Sequence, residues 1–348
     1  EALGRIGIHD ALARLGINAQ CRITTPYHQS AGRLRELLRG EEAHGTCGVG
    51  VGETVRHSLA HPDEAIRYGD LPAAPLEKLM AIRATLLAEL LPQCENAPSC
   101  REELAVLRDE ALGRKWMLSA RALARNCPPL SEDEIATRLR LPGCVLFEGA
   151  QGVLLDEWRG FHPHTTWSST TTAAVESVAT RFGITTRIEH YGVLRSYLTR
   201  HGAGPFPTHD PSLDVLPEPH NSGDGWQGRF RRGHPDAVLL RYALEAVGEL
   251  SGLLISHLDI FDRGIALKWC ESYSNTTRLP VSKSEDLAHQ TTLTHLLRKA
   301  APNYAAEPIR TATALLDHIA TATSAALMFG SYGPDAALRE LRSPFGKV

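Results

Sequence analysis

LSGLLISHLDIFD, residues Leu250 to Asp262, holds a short β-prone run, Leu253-Leu254-Ile255-Ser256, that stops on a loop carrying a carboxylate at Asp259. A run so short and apolar reads as a strand. Helical patterns flank it, Pro235 to Leu250 before and Ala312 to Ala322 after, and a late strand is expected from Ala325 to Phe329. Upstream, His190 to Leu194 reads as another strand. Cys144-Val145-Leu146-Phe147, bounded by Pro142-Gly143, reads as an inner one. The first 45 residues read as helix, short strand (Cys21 to Thr25) and helix (Ser30 to Gly40), and the pattern from Pro75 to about Leu141 is helical. Strands alternating with helices predict an α/β fold, a mostly parallel central sheet flanked by helices, with a helical excursion over about 75–141. Repeats are absent and no linker marks a boundary, so residues 1–348 are expected to form a single domain.

The chain has 348 residues, 43% hydrophobic and 22% charged, with a formal net charge of -3. This balance gives no sign of a nucleic-acid partner. No apolar run approaches the roughly 20 residues of a membrane helix. The 7 cysteines are scattered with no CxxC, which predicts a reduced, cytoplasmic protein. None of the 16 histidines forms HExxH, so no metal site is expected from them.

In parallel sheets, ligands bind beyond the carboxyl ends of the strands. The unusual loops follow the expected strands: EGAQG after Phe147, RHGAGPFPT after the strand of the 190s, SHLD after Ile255 and GSYGPD after Phe329. Together they predict one extended cleft. In EGAQG, Gln151 offers a neutral amide between Gly149 and Gly152. GTCGVGVG lacks the Lys-Ser/Thr of a phosphate loop and follows a helix. Its main-chain N–H groups, with Thr46 and the Cys47 thiol, suit an anion nest. TTWSSTTTAAV, Thr165 to Val175, piles hydroxyls before a helix, a pattern open to capping or to phosphate binding. GWQGRFRRG sets Arg229, Arg231 and Arg232 among glycines, forks suited to carboxylate or phosphate.

Taken in order, GTCGVG, EGAQGVLLD, TTWSSTTTAAV, YGVLRSYLTRHGAGPFPT, GRFRRG with HPDAVLLRYA, LSGLLISHLDIFD and GSYGPD resemble adenylosuccinate synthetase over the whole chain, and EGAQG with GAGPFPT is a specific pairing. The resemblance implies a P-loop-NTPase-like synthetase fold lacking its first strands. It also implies a cytoplasmic homodimer that joins aspartate to the 6-position of IMP at the expense of GTP, with Mg2+. Carried over by position, Gln151 would bond the purine near its 6-oxygen, and Thr46, Cys47 and Thr166 would hold the IMP phosphate. The His201 main chain would lie near the ribose. Arg229 and Arg231 would grip the dicarboxylate and the transferring phosphoryl group. Asp259 would read guanine, with Ser331 and Gly333 lining the base pocket.

Several positions depart from the family pattern. Its opening Gly-Asp-Glu-Gly-Lys-Gly segment, which supplies general base, magnesium ligand and γ-phosphate cradle, is not in this sequence. No metal ligand is therefore expected in this chain, and either a fragment or a scaffold without its catalytic half is expected. Trp226-Gln227-Gly228-Arg229 stands where the family has Thr-Thr-Gly-Arg, Val49 replaces an Arg, and Ser256-His257-Leu258-Asp259 replaces Thr-Lys-Leu-Asp. The lost Arg and the inserted Trp predict a changed amine substrate. The function expected is a GTP-dependent ligase acting on an IMP-like purine nucleotide and an amino acid. The alternative is a non-catalytic nucleotide-binding homologue or one half of a split enzyme. A dinucleotide oxidoreductase is disfavoured because GVGVG lacks a preceding strand.

Overall fold

In the computed structural model, strand Gly252–Ser256 is the centre of a three-stranded parallel sheet, between Tyr191–Arg195 and Leu327–Gly330. The described residues are 2–218, 221, 225–274 and 276–333. They fall into two compact units, one holding the chain up to Leu146 with Ala179–Ile184, the other Phe147–Val178 with the chain from Thr185 onward.

The parallel sheet belongs to the second unit. Leu253 and Ile255 are buried in it, against Leu315 and Ile319 from helix Ala312–Ala322. That helix has the bounds the sequence predicts; Thr311 caps it by accepting from the Ala314 N–H. Helix Ala237–Val247 starts on Asp236, whose Oδ1 accepts from the N–H groups of Val238 and Leu239. Two antiparallel pairs, Leu198–His201 with Phe230–Gly233 and Cys270–Tyr273 with Pro302–Tyr304, complete the unit's strands among the described residues. The α/β class with a parallel sheet flanked by helices is as predicted.

The first unit is mostly helical. Helix Leu76–Cys94 buries Leu79, Ile82, Leu86 and Leu90, one face at steps of three and four residues. Helices Pro26–Arg39, Arg101–Arg108 and Glu110–Asn126 contribute Tyr27, Leu34, Leu104, Leu107 and Met117 to the same core. The buried phenols stay satisfied: Tyr27 Oη donates to the Asp109 carbonyl at 2.8 Å and Tyr68 Oη to that of Cys127 at 2.7 Å.

Three expected elements differ. Residues 144–147 form no strand and are exposed, Leu146 by 87%. A β-prone run becomes a strand only where a neighbour takes its main-chain hydrogen bonds, and no described strand does so here. The opening helix is two single turns, Ala2–Arg5 and Ala11–Arg14, with the left-handed Gly7 between them. The first strand is Ile17–Asn18, paired in parallel with Pro129–Leu130. Of the predicted Cys21 to Thr25 run only Arg22 makes a bridge, to Arg67, because Thr25 is engaged as N-cap of helix Pro26–Arg39.

Candidate functional site

The three parallel strands end at one edge of the sheet. At the end of Gly252–Ser256 the chain turns through His257 in a left-handed conformation, φ 62°. The His257 carbonyl accepts from Ser196 Oγ at 2.7 Å. The Leu258 N–H donates to the Ser331 carbonyl at 3.0 Å, and Ser331 Oγ donates to the Gly333 carbonyl at 3.1 Å. Asp259, Ser331 and Gly333 are thereby brought onto adjacent turns. Asp259 Oδ2 accepts from Arg263 at 3.0 Å. Asp335, at the end of GSYGPD, lies outside the described residues.

The hairpin formed by Leu198–His201 and Phe230–Gly233 gathers the second group. His201 Nε2 lies 3.2 Å from Asn221 Oδ1 and 3.4 Å from Gln227 Nε2, and its ring packs on Phe230. Arg229 and Arg232 both donate to Asp214. Arg231 donates to the carbonyls of Gly202 and Gly204 at 2.6 and 2.7 Å and lies over the Phe206 ring. Trp226 is 37% exposed. Burial alone would raise the Glu218 pKa; hydrogen bonds from Tyr197 and Asn221 and the charge of Arg195 overcome this and hold it low. Burial pushes the Tyr197 phenol up to about 12.

Gln151 and Thr166 form the third group. Gln151 is exposed on its turn. The buried carboxylate of Asp156 organises that turn, accepting from the N–H groups of Trp158 and Arg159 at 2.9 and 3.0 Å and from Thr170 at 2.6 Å. Thr170 Oγ1 reaches the Gly152 carbonyl at 3.3 Å, and the Thr166 N–H donates to the Leu155 carbonyl at 2.8 Å. The EGAQG turn and the hydroxyl-rich segment are thus one braced structure, leading into helix Thr172–Arg181.

Thr46 and Cys47 belong to the first unit. There the N–H groups of His44, Gly45 and Thr46 converge on an anion, as an anion nest would, but the anion is the chain's own Glu36, at 3.3, 2.9 and 3.2 Å. Burial would raise the Glu36 pKa; the Thr46 N–H and the Arg39 guanidinium outweigh that and lower it. Thr46 and Cys47 are exposed at the rim, and Val49 is 48% exposed.

Sequence reasoning missed three residues of these groups: Asp156, Asp214 and Glu36. An Asp just past Val-Leu-Leu at the end of a glycine turn is a local signal for main-chain capping. Glu36 lies within a helix and carries no such signal, since its partners come up to ten residues later. Among the described residues, no three His, Cys, Asp or Glu side chains are grouped to hold a metal ion.

The adenylosuccinate synthetase family profile matches residues 1–310. An adenylosuccinate synthetase from Marinomonas sp. (strain MWYL1) is 34% identical over 280 residues, which cover 79% of this chain and 62% of that protein. One from Photobacterium profundum is 31% identical over 336 residues, covering 92% and 75%. The chain spans less than two thirds of the length of curated relatives such as the Marinomonas protein. A solved structure of the fully ligated adenylosuccinate synthetase from Plasmodium falciparum superposes with a TM-score of 0.71 over 96% of this chain and 79% of that one, at 19% identity, and shows the same fold. By sequence and by fold, the chain belongs to the adenylosuccinate synthetase family.

Proposed function

We propose that the chain is one synthetase domain, with residues 75–141 as its helical subregion, which works as a cytoplasmic homodimer. It joins an amino acid, aspartate or a variant amine, to the 6-position of IMP or a related purine nucleotide at the expense of GTP. The observation that carries this reading is the family match over residues 1–310. The order of chemistry is phosphoryl transfer from GTP to the purine 6-oxygen, then displacement of phosphate by the amine. In this reading Gln151 bonds the purine beside the reacting oxygen, and Thr166 holds the nucleotide phosphate. Asp259 accepts from the guanine edge, with Ser331 and Gly333 at the base. Arg231 neutralises charge as the phosphoryl group moves. Positioning and charge neutralisation supply most of the rate in such transfers. Family members use Mg2+, but the described residues offer it no cluster, and the roles above are those of this chain's own side chains.

The Asp214 carboxylate already pairs with Arg229, and Gln227, which follows the exposed Trp226, reaches the His201 ring. Both features support an amine other than aspartate. The test is a phosphate-release assay with IMP, GTP and a panel of amino acids. Release that requires IMP and one particular amine supports the reading; no release with any amine overturns it.

A further inference from the structure

Strand Leu198–His201 pairs with Phe230–Gly233 in a register that sets Arg200 directly opposite Arg231. Like charges so placed repel and weaken an antiparallel pair. Their neighbours Arg229 and Arg232 are relieved by Asp214, which accepts from both. Arg200 and Arg231 have no carboxylate partner among the described residues: their acceptors are main-chain carbonyls, His164 for Arg200 at 2.9 Å, and Gly202 and Gly204 for Arg231. Among the described residues the Nε of each is buried without an acceptor, as are Arg232 Nε and His209 Nε2. Buried donors left unpaired are costly, and charged ones more so.

Both guanidinium groups are also closely packed. A Cβ on Gly204 would sit 1.9 Å from Arg200 Nη2, so the Gly-Ala-Gly loop lies tight against that side chain. The Phe206 ring lies 5.4 Å from the Arg231 guanidinium carbon. Burial first, and then Arg231, lowers the Arg200 pKa to about 10, and burial lowers that of Arg231. Arg200 therefore stays cationic at neutral pH.

We propose that Arg200 and Arg231 form a paired-guanidinium subsite for one oxyanion group, with Arg200 as a binding residue beyond those the family resemblance assigns. A single carboxylate or phosphoryl group would cancel the facing charges and take up the unpaired N–H donors. The identity of the oxyanion rests on the ligase reading above: it is the carboxylate of the amine substrate or the terminal phosphate of GTP.

The test is titration calorimetry on the chain with three probes, succinate, GTP and inorganic phosphate, comparing the wild type with Arg200→Met and Arg200→Lys. Arg200→Met weakens at least one probe by roughly tenfold or more, the loss of a charge-assisted pair of bonds. Arg200→Lys restores part of it, because lysine keeps the charge but not the fork. Loss confined to succinate assigns the amine carboxylate; loss confined to GTP assigns the phosphoryl group. Should Arg200→Met not fold, the thermal shift of the wild type and of Arg200→Lys in each probe decides, since an anion bound only by the folded state raises Tm. The proposal is overturned if no probe raises the wild-type Tm, or if both variants fold and bind every probe within about twofold of the wild type. A wild type that binds succinate or phosphate through Arg200 but releases no phosphate from GTP keeps this subsite and overturns the ligase reading. An active ligase indifferent to Arg200 does the reverse.

Discussion

Replacing Glu36 by Ala removes the acceptor that shapes the GTCGVG loop. The carboxylate is 7% exposed and takes N–H groups from His44, Gly45 and Thr46, with Arg39 Nη1 at 2.6 Å. Gly45 and Thr46 make the better-placed of the main-chain bonds, at 2.9 and 3.2 Å. Counting those two at about 1.5 kcal/mol each, the low end for bonds to a charged group, gives a loss of about 3 kcal/mol. Glu36→Gln, which keeps one carbonyl acceptor, should lose roughly half of that. The Glu36 pKa is lowered in the fold, so its contribution is full above the ordinary carboxylate range and disappears as pH falls through the lowered value. The wild-type advantage over Glu36→Ala in urea unfolding should therefore hold at pH 6 to 7 and shrink below about pH 4. Hydrogen exchange reads the same bonds directly: the amides of His44, Gly45 and Thr46 should exchange at least about tenfold faster in Glu36→Ala. Unchanged exchange at those three amides would refute the reasoning even if stability fell.

Gly113→Ala places a Cβ 2.2 Å from the Tyr27 hydroxyl oxygen and should destabilise by about 2 kcal/mol in urea unfolding despite alanine's better helix propensity, so a stabilised variant counts against this packing. His28 has its pKa lowered to about 3 by burial, then by His57 and Arg56. Its NMR resonances should stay those of a neutral ring down to pH 4, and stability should fall as pH drops from the ordinary histidine range toward 3, because the unfolded chain gains the proton first; a midpoint near 6 would contradict it. Asp156→Ala should release the Gln151 turn from the Thr170 segment, weakening IMP binding by roughly tenfold with GTP affinity within about twofold, as read by calorimetry. Equal losses for both nucleotides would show that Asp156 supports the whole unit instead.

The apolar run Leu253 to Ser256, the strand of the 190s and helix Ala312–Ala322 were legible because their signals are local: β-prone residues in a short run and a stripe that repeats every three to four residues. The site motifs were legible as types for the same reason, since glycine turns, hydroxyl clusters and arginine forks declare their chemistry in a few adjacent letters. Residues 144–147 carry an equally clear strand signal and form none, because pairing depends on a neighbour that composition cannot name. Glu36 filling the nest at Thr46, Asp214 holding Arg229, and Arg200 facing Arg231 were likewise beyond the sequence. Local sequence determined which groups this protein has to offer a ligand. Tertiary structure alone decided which of them are already spent on one another, because a hydrogen bond or an ion pair is a matter of ångströms in space, and chain separation does not report it.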